Sequence, residues 1–340
     1  MDKTFSFGPY ACRVRVVARD AIAESTENAF TIADTNTARF LPSGSASVVL
    51  PSGESAKSWE RLHATLGAML DADLTRDATV IAVGGGVVCD LAACAASLYM
   101  RGCGLVLVPS TLLAMVDAAL GGKTGVNLGG YKNMVGTFYP AREVRICTPL
   151  LAGLPDREYT SGLAEVIKSG LLGDEPLVQM LEEHRDLVVG RDDALLTEIV
   201  WRCIEVKGAL VEADLTEQNV RAHLNLGHTF AHALESVAGL GEWSHGEAVA
   251  WGIARAMELG RAVGLTDAAY AARVVALLRS YGYRIDPLPE LARRIADAMR
   301  KDKKRRGASV RFVLQRSLGQ TIVTEVDGRA VDSVLAGAGA

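Results

Sequence analysis

The chain has 340 residues, of which 49% are hydrophobic and 6% aromatic, and its formal net charge is −4 with a pI near 5.9. This length allows two domains of ordinary size. The slight negative charge gives no indication of a nucleic-acid partner or of an anionic membrane. The N-terminus lacks a basic stretch followed by an apolar one, so we expect a cytoplasmic protein without a signal peptide. The six cysteines form no C-x-x-C pair, which favours buried, reduced thiols.

In the first half of the chain, short runs rich in β-branched residues alternate with helical patterns. This alternation is typical of a mostly parallel sheet covered by helices, and it predicts an α/β domain over residues 1–150. The predicted strands are 14–18, 30–33, 47–50, 79–83, 104–108 and 144–147, with helices at 58–70 and 90–99. Residues 34–46 are too few for a parallel crossover with a helix, so they form a loop or the flanking strands are not neighbours.

The second half is dominated by the helical period. It predicts a mainly α-helical domain over residues 151–340. The predicted helices are 155–172, 195–212, 225–237, 246–263, 268–281 and 289–300, followed by a β-like pair at 310–314 and 320–326.

Histidines are concentrated in one segment of this half. Four of the six in the chain are His223, His228, His232 and His245. His228 and His232 are four apart and share one face of a helix, a spacing that suits metal binding or acid/base chemistry. An isolated pair of this kind more often consists of two core histidines that are hydrogen-bonded within the protein and bind no metal. The third histidine and the nearby carboxylates and lysines favour a functional site here.

Two glycine-rich loops could bind anions. Gly84–Gly86 follows a predicted strand and precedes a helix, which would let a diphosphate approach backbone N–H groups, although such turns are also common without a ligand. The loop 121–127 offers backbone donors and the cationic Lys123, but Asp117 stands where a Walker A loop needs its first glycine. Glu165 and Lys168 lie three apart in an apolar helix. Burying a charge costs free energy, so two charges in such a helix suggest a functional role.

Taken together, these motifs resemble those of the 3-dehydroquinate synthases, in the sugar phosphate cyclase superfamily. The resemblance covers about residues 34–326. The motifs are GGGVVCD at 84–90, YMRG at 99–102, PSTLLAMVD at 109–117, GGKTGVN at 121–127, KNMVG at 132–136, GLAEVIK at 162–168, LNLGHTF at 224–230, HGEAVA at 245–250 and DKK at 302–304.

The resemblance implies a Rossmann-like NAD domain and a helical domain that binds metal and substrate. It implies conversion of 3-deoxy-D-arabino-heptulosonate 7-phosphate to 3-dehydroquinate and phosphate, in the shikimate pathway of aromatic amino acid biosynthesis. The steps would be transient oxidation by NAD, elimination of phosphate, re-reduction and intramolecular aldol closure, without net redox change. The cofactors would be NAD and one divalent metal, zinc or cobalt.

The resemblance also assigns residues, motif by motif. The metal ligands would be Glu165, His228 and His245. NAD would be bound by Asp34, Asn36, Glu54, Lys57, Gly85, Gly86, Asp90, Ser110, Thr111, Asp117, Lys123 and Lys132. The substrate and the chemistry would involve Lys123, Asn133, Lys168, Lys207, Arg221, Asn225, His232 and Lys303, with Arg101 reaching the phosphate from the neighbouring subunit of a homodimer.

Three departures from the family pattern stand out. Cys89 replaces a usual glycine and is small enough to pack against the sheet. Asn219 also replaces a glycine, and asparagine tolerates the positive φ that glycine would adopt. Residues 37–47 are shorter than in the family, which normally carries a helix there.

Three alternative functions would each predict a different pattern at the site residues. A sibling sugar phosphate cyclase of secondary metabolism would be expected to vary among six residues that this chain retains: Lys123, Glu165, Lys168, Lys207, Arg221 and Asn225. A metal-dependent NAD polyol dehydrogenase would not need GGKTGVN or the anion-binding lysines. A non-catalytic NAD-binding protein would be expected to lose at least one metal ligand.

Overall fold

The computed structural model describes residues 1–22, 24, 28–41, 44–239, 241–306 and 310–337, and for residues 301–306 it describes the backbone alone. By their internal contacts they divide into two compact units, one of Met1–Pro155 with Leu196–Glu217 and one of Asp156–Leu195 with Gln218–Ala340. The functional domains predicted at 1–150 and 151–340 stay a prediction, because a division by contacts does not show what either part binds.

Strands are concentrated in the first unit and helices in the second. The strands are β1 (Asp2–Phe7), β2 (Tyr10–Val16), β3 (Ala29–Asp34), β4 (Ser47–Leu50), β5 (Thr79–Gly84), β6 (Gly104–Pro109), β7 (Val126–Leu128), β8 (Tyr131–Val135), β9 (Glu143–Ile146), β10 (Arg311–Gln315) and β11 (Thr321–Glu325). The helices are α1 (Trp59–Asp71), α2 (Gly86–Leu98), α3 (Asp156–Leu171), α4 (Glu175–Glu183), α5 (Arg185–Val189), α6 (Asp193–Ala213), α7 (His228–Ala238), α8 (His245–Ala262), α9 (Ala268–Ser280), α10 (Pro289–Arg306) and α11 (Gly328–Leu335).

The first unit is built on a seven-stranded sheet in the order β1-β2-β9-β6-β5-β3-β4. The β1–β2 pair is antiparallel and the other pairs are parallel. In β5, residues 80–83 are all buried, as expected for a strand that is covered on both faces. The carboxyl ends of β3, β5 and β6 meet at one edge, so Asp34, Gly84 and Pro109 end their strands side by side. The predicted parallel α/β fold is confirmed.

The connection between β3 and β4 is short, as predicted. These strands pair directly in parallel, with Thr31 opposite Ser47 and Asp34 opposite Leu50. The alternative that they are not neighbours is therefore wrong. The described part of the connection contains one 3₁₀ turn, Ala38–Phe40.

The second unit is mainly helical, with the β10–β11 hairpin beside the helices. Helix α8 packs against α3 and α7, and Trp251 at its centre is fully buried. In the described part of the chain, no helix combines the length and the apolar character needed to cross a bilayer.

Two helix starts differ from the predictions by three residues or more. Helix α2 begins at Gly86 rather than at Asp90, so the glycine loop itself forms its N-terminus. Helix α7 begins at His228 rather than at Asn225. A 3₁₀ turn over Val220–Asn225 precedes it, and Gly227 at φ +80° redirects the chain into the helix.

Candidate metal centre and cofactor-binding loops

Three helices of the second unit bring the predicted metal ligands together. Glu165 lies on α3, and His228 and His245 are the first residues of α7 and α8. One ligand atom from each lies within 4.8 Å of the others. The Nε2 atoms of His228 and His245 lie 3.7 and 3.5 Å from Oε1 of Glu165. The three side chains therefore converge on a volume that one ion could occupy.

Both imidazoles present the same nitrogen to this volume. Nδ1 of His228 is 3.2 Å from the carbonyl oxygen of Leu226, and Nδ1 of His245 is 3.5 Å from Oε2 of Glu235. A histidine that ligates a metal usually donates its other N–H to a carbonyl or carboxylate. The arrangement thus leaves Nε2 as the ligating atom in both rings.

The local sequence fixes the start of α8. Ser244 caps the helix, accepting the N–H of Glu247, while the Glu247 carboxylate accepts the N–H of Ser244, a complete capping box. The N–H of Gly246 donates to Oγ of Ser161 on α3 at 2.9 Å. Because Ser161 is one turn before Glu165, this bond holds His245 and Glu165 in register.

Buried charges determine the pKa values of the two histidines at this centre. Glu165 is fully buried and forms an ion pair with Lys168, which is 2% exposed. Burial and the nearby Lys168 charge lower the pKa of His228 to about 3. Burial would lower the pKa of His245 as well, but hydrogen bonding to Glu165 and Glu235 raises it to about 10. Since only neutral imidazole ligates, a bound metal would displace the proton from His245.

The donor set fits a catalytic divalent metal. One carboxylate and two imidazoles leave coordination positions open for substrate oxygens, a set typical of catalytic zinc. His232 lies one turn after His228 on α7, and the two ring centroids are 5.4 Å apart. It is close to the ligand triad without being part of it.

In the first unit, the glycine loop has the form that a diphosphate requires. Gly85 precedes α2, whose N-terminus exposes backbone N–H groups. A Cβ on Gly85 would lie 3.1 Å from Cγ2 of Thr111, so the backbone is closely approached there. Cys89 is buried with its Sγ 3.7 Å from the carbonyl oxygen of Gly84. The cysteine therefore packs against the sheet, as expected.

A chain of polar contacts joins several predicted cofactor and substrate residues. Lys57 pairs with Asp90 and donates to Oδ1 of Asn133. Asn127 donates to Oε1 of Glu54 at 2.8 Å and accepts the N–H of Asn133 at 2.9 Å. Burial raises the pKa of the Asp90 carboxyl, although the Lys57 ammonium acts in the opposite direction. Asn127 is in the GGKTGVN motif without an assigned role, and only the fold shows that it joins the 3₁₀ turn of Glu54 to strand β8.

Two further lysines are held by carboxylates in this unit. Lys207 donates to the backbone carbonyl of Asp117 at 2.5 Å and pairs with its carboxylate. Lys123 is half exposed and pairs with Glu217, which the sequence analysis did not single out. Glu217 has φ +60°, whereas Asn219 has φ −137°, so the positive φ expected at Asn219 is wrong. The left-handed residue of this turn is the one that contacts Lys123.

Asp34 closes a turn at the end of β3. Its Oδ1 accepts the N–H groups of Asn36 and Thr37 at 2.9 and 3.0 Å. The buried Thr37 hydroxyl accepts the Asp34 N–H and lies 2.7 Å from the Val83 carbonyl, to which it donates. Thr37 thereby ties the end of β3 to the end of β5, next to the glycine loop.

Thr37→Val will therefore destabilise the chain and weaken NAD binding severalfold. The Val83 carbonyl and the Asp34 N–H lose their hydroxyl partner, which costs about 1–3 kcal/mol for buried groups. Denaturant unfolding and titration with NAD check both effects. The matched control is Thr35→Val, because Thr35 is exposed in the same turn. Equal stability and equal NAD affinity in the two variants would contradict this role for Thr37.

The other predicted residues are placed as follows. Ser110 and Thr111 follow β6, where the Ser110 N–H donates to the Gly84 carbonyl and Thr111 Oγ1 accepts the Ala114 N–H. Lys132 is exposed on β8. Arg221 is 2% exposed and Asn225 ends the 3₁₀ turn before α7. The side chain of Lys303 lies outside the described residues.

Arg101 lies in a strained turn after α2. Met100 and Arg101 have φ values of +46° and +67°. Two successive left-handed residues other than glycine cost about 1–2 kcal/mol each. Such strain is found where the position of a side chain matters for function. Arg101 itself is exposed.

Comparison with known proteins agrees with this geometry. The chain matches the family model of the 3-dehydroquinate synthase N-terminal region over residues 47–161 and that of the C-terminal region over 162–305. It is 43% identical over 305 residues to the 3-dehydroquinate synthase of Acidithiobacillus ferrooxidans, covering 88% of this chain and 82% of that one. The enzyme of Pseudomonas aeruginosa is 45% identical over 278 residues, covering 82% of this chain and 76% of that one.

Solved structures share the fold. The 2-epi-5-epi-valiolone synthase ValA from Streptomyces hygroscopicus subsp. jinggangensis, with NAD⁺ and Zn²⁺ bound, superposes with a TM-score of 0.85 at 29% identity over 95% of both chains. A 2-deoxy-scyllo-inosose synthase in complex with carbaglucose-6-phosphate, NAD⁺ and Co²⁺ has the same TM-score at 22% identity, over 99% of both chains, which shows the fold alone. The resemblance read from the motifs is confirmed, and the chain belongs to the 3-dehydroquinate synthase family.

Proposed function

We propose that the chain is a 3-dehydroquinate synthase, which converts 3-deoxy-D-arabino-heptulosonate 7-phosphate to 3-dehydroquinate and phosphate. The observation that carries the proposal is the convergence of Glu165, His228 and His245 within 4.8 Å. It occurs in a chain that is 43–45% identical to curated 3-dehydroquinate synthases over most of its length. A non-catalytic relative would be expected to have lost a ligand, and all three are present.

The cofactors in this proposal are NAD, bound at the glycine loop of the first unit, and one zinc or cobalt ion held by the three ligands. When bound, the ion supplies a Lewis acid and NAD a reversible hydride acceptor. Solved relatives of this fold contain NAD⁺ with Zn²⁺ or Co²⁺. NAD would contact Asp34, Asn36, Glu54, Lys57, Gly85, Gly86, Asp90, Ser110, Thr111, Asp117, Lys123 and Lys132.

The remaining polar side chains bind the substrate and move its protons. Lys168 and Arg221 are buried cations, suited to the carboxylate and phosphate groups of the substrate. Asp117 fixes the Lys207 ammonium, so that this donor does not have to be ordered when substrate binds. To His232, exposed beside His228, we assign proton transfer at an imidazole nitrogen near the leaving phosphate. The proposed set of substrate-binding residues is completed by Lys123, Asn133, Asn225 and Lys303.

We further propose a homodimer, in which Arg101 reaches the phosphate in the neighbouring subunit. Four apolar side chains in the same unit as this turn are partly exposed, each between 37% and 46%: Tyr10, Leu98, Met100 and Phe138. Tyr139 connects the Tyr10 region with the residues that follow Arg101, since its ring contacts the Tyr10 ring and its hydroxyl donates to the Cys103 carbonyl. Exposed apolar side chains near Arg101 support the proposed interface at this place. All six cysteines are buried and none is in a disulfide, which supports the cytoplasm as the location.

The test is phosphate release from 3-deoxy-D-arabino-heptulosonate 7-phosphate with added NAD. We expect release and 3-dehydroquinate formation with zinc or cobalt, loss of both on treatment with EDTA, and recovery when the metal is restored. The sibling cyclases are tested in parallel with glucose 6-phosphate and sedoheptulose 7-phosphate. Release from either of these, but not from the proposed substrate by folded, metal-loaded protein, would overturn the assignment.

A further inference from the structure

Helix α7 carries a third polar residue on the face that bears its two histidines. His228, His232 and Glu235 follow each other at intervals of four and three residues, which places them on one stripe of the helix. The Glu235 side chain is 18% exposed and thus mostly withdrawn from solvent. Its Oε2 lies 3.5 Å from Nδ1 of His245, the nitrogen on the far side of the ring from Glu165.

This placement decides which nitrogen of His245 is available to a metal. An imidazole ring offers a lone pair on one nitrogen when the other carries the proton. A carboxylate at Nδ1 accepts the N–H there and leaves the lone pair on Nε2, which lies 3.5 Å from Oε1 of Glu165. At His228 the backbone carbonyl of Leu226 has the same role. The orientation of His228 therefore depends on a backbone carbonyl, whereas that of His245 depends on the side chain of Glu235.

We propose that Glu235 is a positioning residue of the metal centre, whose carboxylate holds His245 with Nε2 directed at the ion and so tightens the binding of zinc or cobalt. The inference rests on the proposed metal site. It adds a residue that does not touch the ion and that family motifs did not assign. A carboxylate in this position also makes the imidazole a stronger donor, because it stabilises the positive charge that ligation places on the ring.

The test measures metal affinity on the protein without substrate. Zinc and cobalt dissociation constants are determined by competition with a chromophoric chelator for the wild type, Glu235→Ala and Glu235→Gln. We expect Glu235→Ala to bind about 10–100-fold more weakly. Glu235→Gln should lose less, since its amide oxygen can still accept the Nδ1 proton. Glu183→Gln, at an exposed glutamate on α4 in the same unit, removes the same charge and should bind as the wild type does.

The visible absorption of bound cobalt supplies a second readout, which a purely structural role of Glu235 would not change. We expect its bands to shift in Glu235→Ala and to stay near the wild-type position in Glu183→Gln. If Glu235→Ala does not fold, Glu235→Met, which is similar in size and has no oxygen to accept the Nδ1 proton, decides the question. An affinity within twofold of the wild type in folded Glu235→Ala or Glu235→Met, with unchanged cobalt bands, would overturn the inference while leaving the proposed function intact. A wild type that binds neither ion would overturn the proposed metal site as well.

Discussion

His245→Ala will abolish stable zinc and cobalt binding and will lower kcat/KM by at least about a thousandfold. The substitution leaves one imidazole and one carboxylate, and the lost Lewis acid is worth several kcal/mol of transition-state stabilisation. Metal content after dialysis and the rate of phosphate release are the measurements. His63→Ala is the matched control, because His63 is exposed on α1 in the other unit. Full metal content and activity in His245→Ala would contradict the site assignment.

Gly246→Ala will destabilise the second unit by about 3 kcal/mol or more and will weaken metal binding. A Cβ at Gly246 would lie 2.0 Å from the backbone oxygen of Ser161, where no flexible side chain can yield. The helices α3 and α8 must then separate at the turn that holds Glu165 and His245. Denaturant unfolding and metal titration check both consequences.

The control for this prediction is Gly67→Ala on α1. A Cβ at Gly67 meets nothing within 4 Å, so alanine there should leave stability unchanged or raise it by up to about 1 kcal/mol. A Gly246→Ala variant as stable as the wild type, with unchanged metal affinity, would show that the close contact between α3 and α8 does not hold the centre together.

Much of the fold could be predicted because its strands are apolar runs with clear ends. Strand β4 matches its prediction residue for residue. Strands β5 and β6 each differ by one residue at one end, and β3 differs by one residue at both ends. Strand β1 was missed because four of its six residues are polar. Its signal was the alternation that buries Phe5 and Phe7, whose partner β2 could be identified only from the fold. The hairpin of β7 and β8 was missed because most of its residues are exposed and its strands are short on either side of the turn Gly129–Gly130.

The helix starts show where periodicity stops being informative. Leu226 continues the apolar pattern of α7 four residues before Phe230, so the pattern alone extends the helix backwards past Gly227. Gly227 interrupts it through its backbone conformation, with φ +80°, which hydrophobic spacing does not encode. The consequence for the site is small, because His228 and His232 still share one face.

The candidate site was predictable to the extent that its residues lie in recognisable motifs. Glu165, His228 and His245 come from three distant segments, and their convergence follows from the packing of α3, α7 and α8. Glu235, Asn127 and Glu217 were not assigned, because each acts through a partner in another element of the fold. Glu235 had a weak signal, three residues after His232 on the same helix face. The bonds of Asn127 to Glu54 and Asn133 had none.

The most direct test of the proposed reaction is a product balance with NAD at a small fraction of the substrate concentration. The protein is loaded with zinc or cobalt and incubated with 3-deoxy-D-arabino-heptulosonate 7-phosphate, and phosphate, 3-dehydroquinate and NADH are measured together. We expect one 3-dehydroquinate for each phosphate, many turnovers for each NAD and no accumulation of NADH. NADH formed in proportion to consumed substrate, without phosphate release, would identify a dehydrogenase instead and contradict the proposed synthase.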